Sequence, residues 1–173
     1  MTPKEDYGVV GTYDAGTVTF GGGNPSDRDP AMDMVVIDEW IYNQLVHDMA
    51  LTGLLQGFTP SSEGEIYGDT VPVDVKFPYI IYHLQAPGVD RMTLEGDLVL
   101  NRSLWTVKVV DRSESYQTIK FVYSRVHQLL HKASGIVADG VVLHSRRVQT
   151  IHYPELRESV DYRHLGGIYQ IYV

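Results

Sequence analysis

Two histidines are the first candidates for chemistry in this chain of 173 residues. His127 and His131 lie four residues apart, a spacing that puts two imidazoles on one face of a helix, where they could share a metal ion. The zinc-protease pattern requires a glutamate directly after the first histidine, but Gln128 stands there and no third ligand is evident. We therefore expect two solvent-exposed helix histidines and no metal or other cofactor.

Other catalytic patterns are incomplete. Gly21–Gly23 lacks the Gly-Lys-Ser or Gly-Lys-Thr and the helix start of a phosphate-binding loop. Ser61, Ser62 and Ser145 lack the glycine frame of a nucleophile elbow. Carboxylates are scattered among predicted turns and caps, where structural roles are usual: Glu95, Asp97, Asp111 and Glu114. No catalytic set converges, and we expect a protein that is not an enzyme.

Charge and composition exclude further classes. The chain has fourteen Lys and Arg residues and 22 Asp and Glu residues. The resulting net charge of -8 disfavours condensation onto nucleic-acid phosphates. The chain has no cysteine, which excludes disulfides and thiolate ligands. No apolar run approaches the roughly 18 residues of a membrane span, and the first residues lack the pattern of a signal peptide. We expect synthesis in the cytoplasm and no membrane partner.

A basic and aromatic group near the carboxyl terminus has two readings. Such a combination occurs on nucleic-acid platforms, but Arg and Tyr are also enriched in the centres of protein interfaces. Because the whole chain is acidic, we favour the interface: Arg146, Arg147, Arg157 and Arg163, with Tyr153 and Tyr162 nearby.

The composition divides the chain at about residue 28. Residues 1–28 are rich in Gly and poor in aliphatic side chains, which predicts an extended or flexible arm, and residues 29–173 fit a single domain. The stretch Gly16–Phe20 alternates weakly and could pair as an edge strand with a partner, although a disordered tail is equally compatible. Aromatic and apolar arm residues are candidate anchors on a neighbouring protein: Tyr7, Tyr13, Val18 and Phe20.

Periodicity within the domain predicts two helices and a sheet. Asp29-Pro30 starts an amphipathic helix that runs to about Gln56, with Asp48 interrupting its apolar stripe. A second helix follows a capping box at Asp111–Glu114 and ends at Gly135. Strands are predicted near Ile66-Tyr67, at 78–84 before Pro87-Gly88, at 104–110, at 141–151 and at 167–173, with a loop through Pro154 and Glu158 before the last. The order predicts an α+β fold: a mostly antiparallel sheet with both helices on one side and the other face open to neighbours.

The ordered strands and helices resemble the tail terminator family of long-tailed bacteriophages, also called tail completion or tail-to-head joining proteins. The resemblance covers most of the chain after the arm, which is longer than the family usually carries. It rests on the helix from Asp33 to Gln56, Phe77-Pro78-Tyr79-Ile80-Ile81-Tyr82, Trp105-Thr106-Val107-Lys108-Val109-Val110-Asp111, the helix from Ser115 to Leu130 and the closing segment from Tyr162 to Val173.

The resemblance implies a homo-hexameric ring at the head-proximal end of the tail tube, in the neck of a virion. Its partners would be other copies of itself, the tube protein, the head connector or stopper and, in a contractile tail, the sheath protein, with DNA only passing through the pore. In such a ring we expect the long loop from Pro87 to Arg102 to contact a neighbour, although an ordinary mobile loop is the alternative. Its candidate residues are Arg91, Glu95, Asp97 and Arg102.

Two rival functions remain open at this stage. A connector stopper or a sheath-terminating protein would have a similar sequence. A small ligand-binding or enzymatic α+β domain is of a different class, and turnover or ligand binding by the isolated protein would favour it.

Overall fold

The computed structural model describes residues 11–13, 16–18, 30–55, 65–92, 94, 98–138 and 140–173. The helices are α1 (Pro30–Val46), α2 (Met49–Thr52) and α3 (Gln117–Leu130). The strands are β1 (Gly11–Tyr13), β2 (Gly16–Val18), β3 (Ile66–Gly68), β4 (Tyr79–Met92), β5 (Leu98–Asp111), β6 (Gly135–Val137), β7 (Gly140–Val142), β8 (His144–Arg157) and β9 (Val160–Tyr172). None of the described helices is long and apolar enough to cross a membrane.

Five strands form the main sheet in the order β3-β4-β5-β9-β8. All neighbouring pairs are antiparallel except β3 with β4, which is parallel. The helices pack on one face of the sheet. Side chains on that face belong to the hydrophobic core that the helices share, among them Ile80, Tyr82, Trp105, Val107, Val109, Tyr169 and Ile171. Their sequence neighbours point to the other face, as strand alternation requires. The predicted fold class and the shared side of the helices are confirmed.

The predicted leading helix is two helices. α1 ends at Val46, and Asp48 starts α2 by accepting a hydrogen bond from the backbone N–H of Leu51 at 2.7 Å. The residue that interrupts the apolar stripe is therefore an N-cap, and the chain turns there. Trp40, Ile41 and Leu45 of α1 and Leu51 of α2 are fully buried.

The predicted caps of the second helix were wrong, although its range in the family resemblance, Ser115 to Leu130, ends where α3 ends. Asp111 is the last residue of β5, and its Oδ1 accepts a hydrogen bond from the Arg112 backbone at 2.8 Å, so it caps no helix. α3 begins at Gln117 and ends at Leu130, with His131 as its C-cap. Gly135 opens strand β6, since the chain has already left the helix.

The predicted loop from Pro87 to Arg102 is also wrong for its described part. β4 continues to Met92, and Val89 pairs with Arg102, Asp90 with Asn101 and Arg91 with Leu100. Pro87 and Gly88 lie at register shifts around Ala86. An extra residue at a β-bulge is left unpaired, so these two residues need not hydrogen-bond to β5. A Cβ atom on Gly88 would collide with the Asn101 side chain. The described residues between 87 and 102 thus form the distal part of a long hairpin.

The carboxyl-terminal strands form a second long hairpin in place of the predicted strands and loop. β8 runs through Pro154 to Arg157, and β9 begins at Val160, so the predicted loop is only a tight turn. Glu158 and Ser159 both have positive φ angles, of 50° and 65°. Two central residues of this kind match the twist of antiparallel strands. This turn and the end of the β4–β5 hairpin lie at opposite ends of the sheet.

In the arm, Gly16–Val18 pairs with Gly11–Tyr13 in a small antiparallel hairpin. Thr19, Phe20 and most of the arm lie outside the described residues. The predicted edge strand therefore has a partner within the chain itself.

Candidate assembly surface

The sheet face that the helices leave uncovered is polar and aromatic. Side chains of β5 alternate between the two faces of the sheet. Thr106 and Lys108 point to this open face, and Val107 and Val109 point to the core. Thr106 is buried all the same, and its hydroxyl donates to Gln85 Oε1 at 2.9 Å. Long neighbouring side chains thus cover the small ones, and the open face is an ordered surface.

A charged network lies at the centre of the open face. Lys108 Nζ donates to the Tyr153 hydroxyl at 3.1 Å, and the Tyr153 ring stacks on His164 with centroids 4.5 Å apart. His164 Nε2 lies 3.0 Å from Glu155 Oε2. Burial lowers the pKa of His164, and the Lys108 charge lowers it further, against the opposing effect of Glu155. Burial and the Lys108 charge therefore both favour the neutral form of His164.

An aromatic and cationic cluster lies beside this network. The Arg112 guanidinium lies 4.4 Å from the centroid of the Phe77 ring and donates to the Tyr162 hydroxyl at 3.1 Å. Tyr79 also packs on Phe77, with centroids 5.3 Å apart. Cation–π contacts of this kind hold aromatic side chains in fixed positions at a surface. The cluster lines an open cavity of about 440 Å³, with Val71, Val75, Glu155 and Arg157 among the other lining residues.

All six predicted arginines are described by the structure. Arg157 lines the cavity, and Arg163 Nη2 lies 3.7 Å from Asp161 Oδ2. The other four have different environments. Arg91 is exposed in the β4–β5 hairpin, and Arg102 is half-buried opposite Tyr172. Arg146 Nε and Nη2 both donate to Gln170 Oε1, at 3.0 and 2.8 Å, on the open face. Arg147 points to the helices, where its Nη1 donates to the Tyr123 hydroxyl at 2.9 Å.

Arg102 pairs with Tyr172, and Arg146 pairs with Gln170. Tyr172 also donates a hydrogen bond to Gln170 Oε1 at 2.9 Å, so Arg102 and Arg146 lie on the same face of the sheet. Arg147 is separated from them by the sheet. Of the remaining predicted contacts, the backbones of Tyr13 and Val18 lie in β1 and β2, whereas Tyr7, Phe20, Glu95 and Asp97 are outside the described residues.

His127 and His131 stack on each other, with centroids 4.6 Å apart. His131 Nδ1 accepts a hydrogen bond from the Arg147 backbone at 3.1 Å, which favours its neutral form. Burial lowers the pKa of His127, with Arg147 next in effect. Within the described part of the chain, no group of three His, Asp or Glu side chains is arranged to bind a metal ion. The pair packs between α3 and β8, which corrects the expectation of two solvent-exposed histidines.

Sequence reasoning missed Gln170 and the Phe77–Arg112–Tyr162 cluster. Arg112 and Tyr162 are 50 positions apart, so no local spacing relates them. The alternation of β5 and β9 could have placed Gln170 on the open face once their pairing was known.

No protein family matches the sequence. No curated protein matches it either. Among solved structures, the fold is similar to that of a chain in the virion of a native gene transfer agent particle, with a TM-score of 0.63 and 16% sequence identity. The alignment covers 81% of this chain and 96% of that chain. The similarity shows a shared fold, and the resemblance to tail terminators stays a prediction from sequence.

Proposed function

We propose that this protein is a structural, non-enzymatic component of a virion. The observation that carries the proposal is the fold shared with a gene transfer agent virion chain over nearly the whole of that chain. The order of sequence elements that resembles tail terminators points to the same class independently. A role of this kind requires interfaces and no chemical step.

The more specific role is closure of a tail tube. The protein would cap the head-proximal end of the tube as a homo-hexameric ring in the neck, stop polymerisation and offer a docking face to the head connector or stopper. The net charge of -8 supports this role, because a channel lined by positive charge would hold the phosphates of DNA that must pass. The open face and the two hairpins at opposite ends of the sheet provide surfaces for different neighbours.

Tube length tests the proposal directly. The tube protein of the same virion is polymerised with and without this protein, and tube lengths and ends are imaged by negative-stain electron microscopy. We expect shorter tubes with one capped end, whereas an unrelated acidic protein at equal concentration leaves length unchanged. Unchanged tubes with bare ends would remove the terminator role.

Deletion of the gene separates this role from that of a connector stopper. Loss of a terminator gives overlong tails on intact heads, whereas loss of a stopper gives heads that leak DNA. Normal tail lengths together with heads that leak DNA would show that the protein acts as a stopper and not as a terminator.

A further inference from the structure

Strand β4 has a long unpaired edge. β3 pairs only with Ile80, Ile81 and Tyr82, and two more backbone hydrogen bonds join the same segment to β4, from Asp69 to Tyr82 and from Ile80 to Glu65. In the described chain, no strand pairs with this side of β4 from residue 83 to residue 92. We call this stretch the free edge of β4. Its exposed apolar side chains are Leu84, Val89 and Met92.

Strand β8 has a matching unpaired edge on the opposite border of the sheet. The segment after α3 covers its beginning, where Lys132 donates to Ser145, Ser145 to Ala133 and the Arg147 backbone to His131. From residue 148 to residue 157 no further strand of the described chain pairs with this side of β8, and this stretch is the free edge of β8. Its exposed apolar side chains include Val148, Tyr153 and Leu156.

Exposed apolar strand edges pair readily with other chains, and proteins usually protect them with lysine, proline or a covering loop. Neither free edge contains lysine, and each contains one proline, Pro87 or Pro154. The stretches next to these prolines, residues 83–86 and 148–153, carry no Asp, Glu, Lys or Arg. Two copies with a net charge of -8 can therefore approach here with little local repulsion.

Strand direction makes the two edges complementary. β4, β5, β9 and β8 are joined by three successive antiparallel pairings, so β4 and β8 run in opposite directions. Copies in the same orientation therefore bring β8 of one against β4 of the next in antiparallel pairing. At equal height the two free edges meet only near Leu84 and Val148, because they run toward opposite ends of the sheet, and they overlap further when the next copy is displaced along the strands. Because the two edges differ, the contact is heterologous, and it forms a ring when the rotation between successive copies closes without a net displacement along the ring axis.

We propose that copies of this chain join head to tail by antiparallel pairing of the free edge of β4 with the free edge of β8. This interface rests on the proposed ring and names the surface that forms it. A second copy fits better than the arm, because the short strand β2 could cover one edge, whereas neighbouring copies cover both edges of every subunit.

Cysteine cross-linking tests the pairing, since the chain has no cysteine of its own. Leu84→Cys is mixed in turn with Val148→Cys, Thr150→Cys and Leu156→Cys, because the register between copies decides which residue lies opposite. All four residues are exposed, and circular dichroism confirms that each variant folds. After mild oxidation at millimolar protein concentration, we expect at least one mixture to give several-fold more heterodimer than Leu84→Cys with Phe121→Cys on the outer surface of α3.

Three results would overturn the interface. Cross-linking no stronger than the Phe121→Cys control removes it. Dominant homodimers of Leu84→Cys replace it with a two-fold contact between identical edges. Preferential cross-linking of Leu84→Cys to Val18→Cys assigns the β4 edge to the arm.

The tube assay keeps this outcome separate from the proposed function. Capped tubes that give no β4–β8 cross-links, when the variants are bound to them, leave the capping role and remove the interface. Cross-links without capping leave the interface and remove the terminator role.

Discussion

Arg125 of α3 donates two hydrogen bonds to Asp48, from Nε to Oδ1 at 2.9 Å and from Nη2 to Oδ2 at 2.6 Å. The same carboxylate accepts the cap hydrogen bond from Leu51. One residue therefore fixes the junction of α1 and α2 and attaches it to α3. A paired arrangement of guanidinium and carboxylate also fixes their relative orientation.

Replacement of Asp48 should separate its two roles. Loss of the cap alone should lower the free energy of unfolding by about 1 kcal/mol. We expect Asp48→Ala to lower it by more than this, because the variant also loses the contact with Arg125. Asp48→Asn keeps a good capping side chain and should be milder. Urea unfolding at pH 7 measures the difference, and equal losses for the two variants would contradict a capping role.

Acid should weaken the fold partly through Asp48. The hydrogen bonds from Arg125 hold the pKa of Asp48 below its ordinary value. The native state therefore binds this proton less readily than the unfolded state, and the stabilisation is complete above the unfolded pKa, near 3.9. It is lost as pH falls through the lower folded pKa. Urea unfolding of Asp48→Asn should show a smaller loss of stability below pH 4 than the parent, and equal acid losses would argue against this linkage.

The pKa of His164 should respond in opposite directions to its two charged neighbours. Lys108→Gln removes a charge that lowers this pKa and should raise it, although burial keeps it below the ordinary value. Glu155→Gln removes an opposing charge and should lower it. NMR titration of the imidazole protons of the parent and the two variants measures both shifts. Shifts of the same sign in both variants would contradict the charge network.

Arg146 and Arg147 should differ in stability although they are adjacent in sequence. Arg147→Ala removes a charged donor from the Tyr123 hydroxyl and should cost roughly 1.5–3 kcal/mol. Arg146→Ala leaves Gln170 with its hydrogen bond from Tyr172 and should change stability by less than about 0.5 kcal/mol. Urea unfolding compares them, and similar losses would show that the two arginines are not on different faces. Only Arg146→Ala is then suitable for testing assembly.

Gly166 should not tolerate a side chain. A Cβ atom there would lie 2.5 Å from the Val107 carbonyl oxygen and from Lys108 Cβ, within the pairing of β5 and β9. We expect Gly166→Ala to lower the free energy of unfolding by about 1–3 kcal/mol, because the backbone must shift. Gly68→Ala is the control, since a Cβ atom there would lie 3.3 Å from the Tyr82 hydroxyl, a much less severe approach. Thermal unfolding that ranks the two variants equally would contradict the close approach.

The sequence predicted the elements that bury one face. Alternation in β5 separates Val107 and Val109 from Thr106 and Lys108, and this pattern is strong because the helices cover only one side. The apolar stripe of α3 was recognised for the same reason: Ile119, Val122 and Val126 are fully buried. In both elements, the spacing of apolar residues along the chain predicts which side chains are buried.

The ends of elements and the contacts between distant residues were not predictable in this way. Pro87 and Pro154 were read as breaks, but each lies on a stretch of strand that pairs on one side only, where a missing N–H need not disturb the ladder. Asp111 has the spacing of a helix cap, yet pairing of β5 with β9 extends the strand through it. The candidate surface depends on strand order, which brings Tyr153, Lys108 and His164 together from separate parts of the chain.

The opposite placement of the two hairpins would give the proposed head-to-tail ring an upper and a lower rim with different chemistry. Every β4–β5 hairpin would point to one rim, with Asp90, Arg91 and Met92, and every β8–β9 turn to the other, with Glu158 and Ser159. Rotation about the ring axis never exchanges the rims. One subunit type can therefore meet a tube on one side and a connector on the other, and substitutions in each hairpin should impair one junction while sparing the other.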